Sequence, residues 1–176
     1  MLANGGGGNG KGLLNELTQF MLGNYAYILP ANILVGAMKQ GNCPEIANMN
    51  NKRLVFVREP NPDLKFNCAA IKEITGGGEI NARLNYSNDC KTNLNMTFVL
   101  ECNDQPKLNE VNNALMRRIL DIPFKSKFVS KEDYDKYEDK TNLQKLNPKD
   151  KTIEFKEEHK HALFLIMAAY YKVLNN

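Results

Sequence analysis

The sequence predicts an α/β domain of three layers with a mostly parallel central sheet. Short, continuous apolar runs such as "LVFV" at 54–57 and "TFVL" at 97–100 are typical of strands that are buried on both faces. Segments with helical spacing of apolar residues alternate with these runs, which is the pattern of an α/β fold. The 176 residues are enough for one such domain with a core of its own.

The predicted elements follow from local patterns along the chain. In order, they are a helix over 12–22, strands over 27–29 and 53–59, a short helix over 69–74, a strand and hairpin over 80–89, a strand over 95–103, and helices over 113–120 and 155–174. The first helix carries an apolar stripe at helical spacing, formed by Leu13, Leu14, Leu17, Phe20 and Met21. The last helix is expected to bury an apolar face, formed by Phe155, Leu163, Ile166, Ala169, Tyr170 and Val173.

A charged segment separates the last helix from the rest. Residues 125–151 contain eight lysines and six acids, with few apolar side chains. This composition is typical of a solvated helix or loop that carries no chemistry. We therefore expect a domain core over 1–128, and a charged segment with a C-terminal helix over 129–176.

The composition argues against several kinds of site. A formal net charge of +3 is too small to indicate a nucleic-acid partner without local evidence. The four cysteines lie far apart without a C-x-x-C pair, so we expect reduced thiols and no zinc site. His159 and His161 are two apart on a predicted helix, which is poor metal geometry and favours solvent-exposed side chains. No apolar run approaches the ~20 residues of a membrane span, so no membrane partner is expected.

The stretch "GGGGNGKG" near the start carries the first functional signal. It matches the phosphate-loop pattern G-x-x-x-x-G-K-[ST] in all but its last position. Backbone N–H groups of such a loop and of the following helix form a cradle for phosphates, and the lysine reaches the β/γ-phosphates. The alternative is a flexible glycine-rich leader. The candidate nucleotide-binding residues are Gly5, Gly6, Gly7, Gly8, Asn9, Gly10, Lys11 and Gly12.

Gly12 departs from the loop pattern. The residue normally found there supplies a hydroxyl that ligates Mg²⁺. Water can complete the coordination instead, because Mg²⁺ keeps several waters readily. Losing one direct ligand costs roughly 1–3 kcal/mol, by analogy with a lost hydrogen bond to a charged group. We therefore expect weakened metal binding.

Two polar residues follow the buried strands. In open α/β sheets, ligands bind beyond the carboxyl ends of the strands. Glu59 ends "LVFVRE", where a carboxylate can deprotonate an attacking water and hold Mg²⁺ through water. Asn103 ends "TFVLECN", where an amide can hydrogen-bond both a γ-phosphate and that water. The alternatives are a surface glutamate before a proline turn and an asparagine that forms a turn.

The adjacent residues Arg117 and Arg118 lie in a predicted helix. Neighbouring helix residues point about 100° apart, so at most one of them can face a given phosphate. An arginine supplied by a neighbouring subunit can stabilise transition-state charge. The alternative is ordinary charge on a helix surface.

Four segments in this order resemble a known family: "GGGGNGKG", "NKRLVFVREPN", "IKEITGGGEINARLNY" and "TFVLECNDQPKLNEVNNALMRRILDIPFKSKF". Together they cover most of 5–128. The chain resembles the superfamily 3 helicase core of the AAA+ class, and more narrowly the poxvirus-type primase-helicase of nucleocytoplasmic large DNA viruses. The resemblance implies a P-loop NTPase fold and ATP hydrolysis during viral DNA replication. The implied location is the host cytoplasm or a viral replication compartment.

The resemblance also implies cofactors, partners and residue roles. ATP and Mg²⁺ would be the cofactors, and a hexameric ring would translocate on single-stranded or forked DNA. Glu59 would be the Walker B acid, Asn103 the sensor, and Arg117 or Arg118 the finger acting across subunits. The third segment would face DNA, with Lys72 and Arg83 as its basic residues.

The sequence departs from the family pattern at three points. The hydroxyl is missing at Gly12, and Arg58 leaves Glu59 as a single acid. The three residues before the loop are expected to be too few to form and pack the strand that precedes it, so we expect a truncated first strand and missing upstream parts. Two alternatives stay open: a P-loop ATPase of another kind, such as a DNA-packaging motor, and a non-catalytic nucleotide-binding fragment.

Overall fold

The computed structural model of the chain describes residues 1–38, 41–58, 60–88, 91–145 and 157–174. The chain forms two compact units. One comprises Met1–Gly5 and Asn24–Pro123, and the other comprises Gly6–Gly23 and Phe124–Asn176.

Twelve strands and six α-helices are found in the described residues. In chain order they are β1 (Leu2–Asn4), α1 (Lys11–Leu22), β2 (Ala26–Ile28), β3 (Gly41–Asn42), α2 (Pro44–Ala47), β4 (Leu54–Arg58), β5 (Lys65–Phe66), α3 (Cys68–Thr75), β6 (Gly78–Arg83), β7 (Lys91–Leu94), β8 (Thr97–Cys102), β9 (Lys107–Leu108), α4 (Asn113–Met116), β10 (Asp121–Pro123), β11 (Lys127–Val129), α5 (Lys131–Tyr134), β12 (Leu143–Lys145) and α6 (Glu157–Leu174). The predicted α/β class is confirmed.

A five-stranded parallel sheet forms the centre of the first unit. Its strand order is β10-β1-β8-β4-β2, and each neighbouring pair is parallel. The carboxyl ends of all five strands therefore lie at one edge, called the carboxyl edge below. This edge is where open α/β sheets bind ligands.

The apolar runs of β4 and β8 are buried on both faces of the sheet. Val55 and Val57 point to one face and belong to the main core cluster with Phe98 and Leu100. Phe56, which points to the other face, is also buried at 1% exposure. Burial on both faces explains why these strands read as continuous apolar runs without polar alternation.

Strand β1 corrects one expectation from the sequence. Ala3 is 2% exposed, and β1 pairs with β8 on one side and β10 on the other. The N–H of Leu100 also donates to the carbonyl of Met1 at 2.9 Å. The expectation that three residues are too few to form and pack this strand is wrong, because hydrogen bonds on both sides hold it.

The helix predicted over 113–120 is shorter than expected. Helix α4 covers only Asn113–Met116, and its cap is the side chain of Asn112, which accepts from the N–H of Leu115 at 3.0 Å. The chain then extends to form β10, and the carbonyl of Leu120 accepts from the N–H of Leu2 at 2.7 Å. Pairing of β10 with β1 is therefore favoured over continuation of helix α4 through these residues.

Smaller sheets complete the first unit. The predicted hairpin is confirmed: β6 and β7 are antiparallel, and β3 pairs with β6 on the other side. Strands β5 and β9 form a separate parallel pair. Asn67 is the N-cap of helix α3, and its side chain accepts from the N–H of Ala69 at 2.9 Å.

The second unit differs from the expectations drawn from the sequence in two respects. Strands β11 and β12 form a parallel pair inside the segment that was expected to be a helix or loop.

Helices α1 and α6 contact each other, and Lys160 Nζ lies 5.8 Å from the centre of the Phe20 ring. Over 157–174, however, α6 has no buried residue, and Ile166 is 66% exposed. The expected buried face of the last helix is therefore wrong for the described residues, and Phe155 lies outside them.

None of the described helices is long and apolar enough to cross a membrane. Three of the cysteines, Cys43, Cys68 and Cys102, are buried. Cys90 lies outside the described residues.

Candidate functional site

The glycine loop adopts a backbone that requires glycine at two positions. Gly8 has φ of 74° and Gly10 has φ of 82°, which is the left-handed region. A Cβ on Gly10 would also lie 3.4 Å from the Phe128 ring. Helix α1 begins at the next residue, so Gly10 is its N-cap. The first N–H groups of a helix point away from it and can bind an anion.

Lys11 is a buried cation at the start of α1. The residue is 4% exposed, and its Nζ donates to Asn9 Oδ1 at 3.1 Å. The same oxygen lies 3.3 Å from the backbone N of Lys11. Asn9 Oδ1 thus contacts both the ammonium and the backbone N–H of Lys11. These are the two groups that would bind a phosphate oxygen in a phosphate-binding loop. Exchange of this contact for a phosphate oxygen would preserve the hydrogen bonds of both donors.

The residues that follow β10 contact the glycine loop, which the sequence analysis missed. The N–H of Phe128 donates to the carbonyl of Gly8 at 2.7 Å, and Asn9 Nδ2 donates to the carbonyl of Phe124 at 3.4 Å. These residues belong to the segment "PFKSKF" at 123–128. The segment is part of the family resemblance, but no contact with the loop was predicted for it.

Gly12 is the second residue of α1 and contributes only backbone. At this position the loop therefore offers an N–H donor and no oxygen ligand for a metal. Among the residues that the structure describes, no three His, Cys, Asp or Glu side chains form a group that could hold a metal ion.

At the carboxyl edge, Asn103 directly follows β8 and is exposed. It lines a cavity of about 110 Å³ with Pro60, Asn61 and other residues of the turn after β4. Glu59 itself lies outside the described residues. The structure thus brings Asn103 together with the turn that follows Glu59.

Arg58 and Glu101 form an ion pair at the same edge. They are partners in the register of β4 and β8, and Arg58 Nε lies 3.5 Å from Glu101 Oε2. The arginine side chain is 30% exposed and the glutamate side chain is 2% exposed. Glu101 was not among the site residues predicted from the sequence. The sequence feature that could have indicated this residue is a charged side chain inside the otherwise apolar run "TFVLEC".

The two candidate finger residues differ in their surroundings. Arg117 and Arg118 are both exposed at the end of α4. Arg117 Nε donates to the carbonyl of Asn113 at 3.3 Å, and Arg118 Nη1 donates to the carbonyl of Ala114 at 2.7 Å. Arg118 also lines an apolar cavity of about 360 Å³ within its own unit, beside Met116.

Comparison with known proteins identifies relatives of the chain, although no family model matches it. The chain is 29% identical over 143 residues to "Putative helicase L207/L206" of Acanthamoeba polyphaga mimivirus, which is 80% of this chain and 15% of that protein. It is 32% identical over 127 residues to "Primase D5" of Fowlpox virus (strain NVSL), or 69% of this chain and 16% of that protein. It is 30% identical over 132 residues to "Putative helicase 022R" of Frog virus 3 (isolate Goorha), or 72% of this chain and 14% of that protein.

The chain is a relative of the primase-helicases of nucleocytoplasmic large DNA viruses. The resemblance seen in the four sequence segments is thereby confirmed. The chain spans between 14% and 16% of the length of these three viral relatives.

The two basic residues expected to face DNA lie on different elements. Lys72 is on α3, where its Nζ forms an ion pair with Glu110 Oε1 at 3.0 Å. Arg83 ends β6, and its Nη1 donates to the carbonyl of Ser87 across the hairpin loop at 3.3 Å. In this structure, Arg83 therefore supports the hairpin loop, and Lys72 is bound to an acid.

Proposed function

We propose that this chain is the ATP-hydrolysing motor part of a viral replicative DNA helicase. The observation that carries the proposal is the glycine loop: two left-handed glycines lead into α1, and a buried lysine stands at its first residue. Helix N-termini of this kind are anion sites, and a lysine at this position contacts the β/γ-phosphates in P-loop enzymes. The viral relatives named as helicases support the same proposal.

In this proposal the loop binds the phosphates and the carboxyl edge contributes the chemistry. Glu59 accepts a proton from the attacking water, while Asn103 donates its amide to the γ-phosphate and orients that water. An arginine at the end of α4 from a neighbouring subunit neutralises charge that develops on the transferred phosphoryl group. Arg117 is the better candidate, because Arg118 is held through Nη1 by the carbonyl of Ala114 at 2.7 Å, whereas Arg117 contacts its own helix through Nε at 3.3 Å.

In this proposal, Mg²⁺ is held largely through water. Gly12 brings no hydroxyl to the start of α1, and the proposed contribution of Glu59 passes through a water. Mg²⁺ commonly keeps several waters and takes the remaining ligands from substrate phosphates. When bound, it supplies neutralisation of phosphate charge, and the residues of this chain position the phosphates and the water.

DNA is the proposed substrate of the motor, and a ring of subunits is its proposed assembly. Both follow from the helicase relatives and from the requirement that a finger arginine act on a neighbouring subunit. Lys72 and Arg83 would meet single-stranded or forked DNA. For Lys72, such contact requires that DNA phosphates replace the carboxylate of Glu110.

The test uses Glu59→Gln, because an amide cannot accept the proton of the attacking water. We expect ATP affinity to remain and phosphate release to fall to background, with Glu138→Gln in the charged segment as the matched control. Phosphate release by Glu59→Gln at the parental rate would contradict the assigned role. Unwinding of a forked duplex distinguishes the helicase from a packaging motor, and background phosphate release by the unaltered chain would favour a non-catalytic fragment.

A further inference from the structure

The side chain of Asn9 links the glycine loop to the start of α1 and to the chain after β10. Its Oδ1 accepts from Lys11 Nζ at 3.1 Å and from the backbone N–H of Lys11 at 3.3 Å. At the other end of the amide, Nδ2 donates to the carbonyl of Phe124 at 3.4 Å. All three residues belong to the second unit. Asn9 and Lys11 are buried, at 7% and 4% exposure, so little water reaches these contacts.

The amide of Asn9 is a neutral partner for a buried ammonium. A buried cation is unfavourable unless polar groups contact it, so the contact with Asn9 Oδ1 stabilises Lys11. Hydrogen bonds in which both groups are ionised are shorter and stronger than those to a neutral acceptor. An anionic oxygen can therefore displace the amide from the ammonium.

The two donors that Asn9 contacts are those that the proposed function assigns to phosphate. A phosphate oxygen that accepts from Lys11 Nζ and from the N–H of Lys11 would take the place of Asn9 Oδ1. The gain on binding is then reduced, because two existing hydrogen bonds are exchanged for the new ones. Asn9 is only two residues from Lys11, and this short connection keeps the amide at a high effective concentration.

We propose that the Asn9 side chain is an internal competitor for the phosphate site and lowers the affinity of the glycine loop for nucleotide. The ligand class is the polyphosphate of a nucleoside triphosphate, so the inference rests on the proposed function and adds a control of the same site. Nucleotide binding displaces Asn9 Oδ1 from Lys11. The same movement alters the contact between Asn9 Nδ2 and the carbonyl of Phe124.

Calorimetric titration of ATP into Asn9→Ala tests the competition. Alanine removes the amide, and we expect ATP affinity to rise about tenfold, the usual contribution of a hydrogen bond to a charged group. Without ATP, the same variant should unfold at a lower temperature, because the ammonium of Lys11 loses one of its partners. A purely structural role of Asn9 would instead lower both the stability and the affinity.

Asn15→Ala is the matched control. Asn15 is an equally buried asparagine, at 7% exposure, and lies on α1 one turn after Lys11. Its alanine variant should also unfold at a lower temperature, but its ATP affinity should not rise. In a further variant, Asn9→Asp, a charged competitor replaces the neutral one. It should bind ATP at least tenfold more weakly than the parent, because a carboxylate holds the ammonium more firmly than an amide does.

A measurement on the unaltered chain keeps the test available if Asn9→Ala fails to fold. The side-chain amide of Asn9 has its own signals in an NMR spectrum. During an ATP titration they should shift more than the corresponding signals of Asn15, because the contacts of Asn9 are exchanged.

Two results would overturn the inference and leave the proposed function intact. One is an Asn9→Ala variant that binds ATP no more tightly than the parent. The other is a shift of the Asn9 signals no larger than that of the Asn15 signals at saturating ATP. If neither the parent nor Asn9→Ala binds ATP, the inference and the proposed function fail together.

Discussion

The glycine loop and the carboxyl edge of the sheet are built on different principles. In the loop, the backbone makes the proposed site: Gly8 and Gly10 take conformations that other residues avoid, and they lead into the start of α1, whose first N–H groups can bind an anion. At the edge, side chains make the site, and they meet because neighbouring strands are in register, as Arg58 and Glu101 are. Consecutive residues encode the first arrangement, whereas the second depends on residues 43 positions apart.

This difference predicts how each region responds to substitution. A change in the loop should alter local backbone and affect every phosphate ligand. A change at the edge should remove one specific contact and leave other steps intact. The predictions below test these statements, beginning with the largest effect.

The largest expected effect comes from the arginines after α4. In the proposed ring of subunits, Arg117→Ala should lower the rate of ATP hydrolysis by about 10³-fold or more, as for other arginine fingers, while nucleotide binding survives. Arg118→Ala serves as the comparison and should have a much smaller effect, because Arg118 Nη1 donates to the carbonyl of Ala114 at 2.7 Å. Steady-state phosphate release and nucleotide titration are the measurements. Equal losses in the two variants would contradict the assignment to Arg117.

Much of the loop and the sheet could be predicted from the sequence. The apolar runs of β4 and β8 and the glycine pattern are local signals, and the structure confirms the predicted strands and the start of α1 within a residue or two. Pairing between distant segments could not be predicted from local patterns. The pair of β11 with β12 and the partnership of Arg58 with Glu101 both belong to this class.

Two further differences between the predicted and the observed structure have the same physical origin. The pattern of α6 indicates an amphipathic helix, but burial depends on what covers it, and most of its apolar side chains are exposed over 157–174. Helix α4 ends early because the backbone of Leu120 pairs with β1. The exposure of α6 and the early end of α4 are therefore determined by contacts with other parts of the chain and not by local propensity.

The second prediction concerns the missing hydroxyl. Gly12→Ser places an oxygen at the second residue of α1, where it can ligate Mg²⁺. We expect Mg²⁺-dependent ATP hydrolysis to rise by roughly 5- to 150-fold, which corresponds to the energy estimated for one ligand. Rates measured across a Mg²⁺ titration are the readout, and Gly12→Ala controls for the change in helix propensity. An equal rise in Gly12→Ala would show that the hydroxyl is not the cause.

The third prediction compares a glycine of the loop with a glycine outside it. Gly10→Ala forces a side chain into the left-handed region at a cost of about 1–2 kcal/mol, and its Cβ lies 3.4 Å from the Phe128 ring. We expect ATP affinity to fall about tenfold. Gly36→Ala is the matched control, because Gly36 lies outside the loop and a Cβ there has no atom within 4 Å. ATP titrations that give the same affinity for both variants would show that the conformation of Gly10 is not required for binding.

The central claim is that the glycine loop binds the phosphates of ATP through Lys11, and calorimetric titration of ATP tests it most directly. Lys11→Ala should lower ATP affinity at least 100-fold while the thermal unfolding transition remains cooperative. The exposed residue Lys131 provides the matched control, and Lys131→Ala should bind ATP like the parent. ATP binding by Lys11→Ala with unchanged affinity would contradict the account, because the buried cation at the start of α1 would then have no part in holding phosphate.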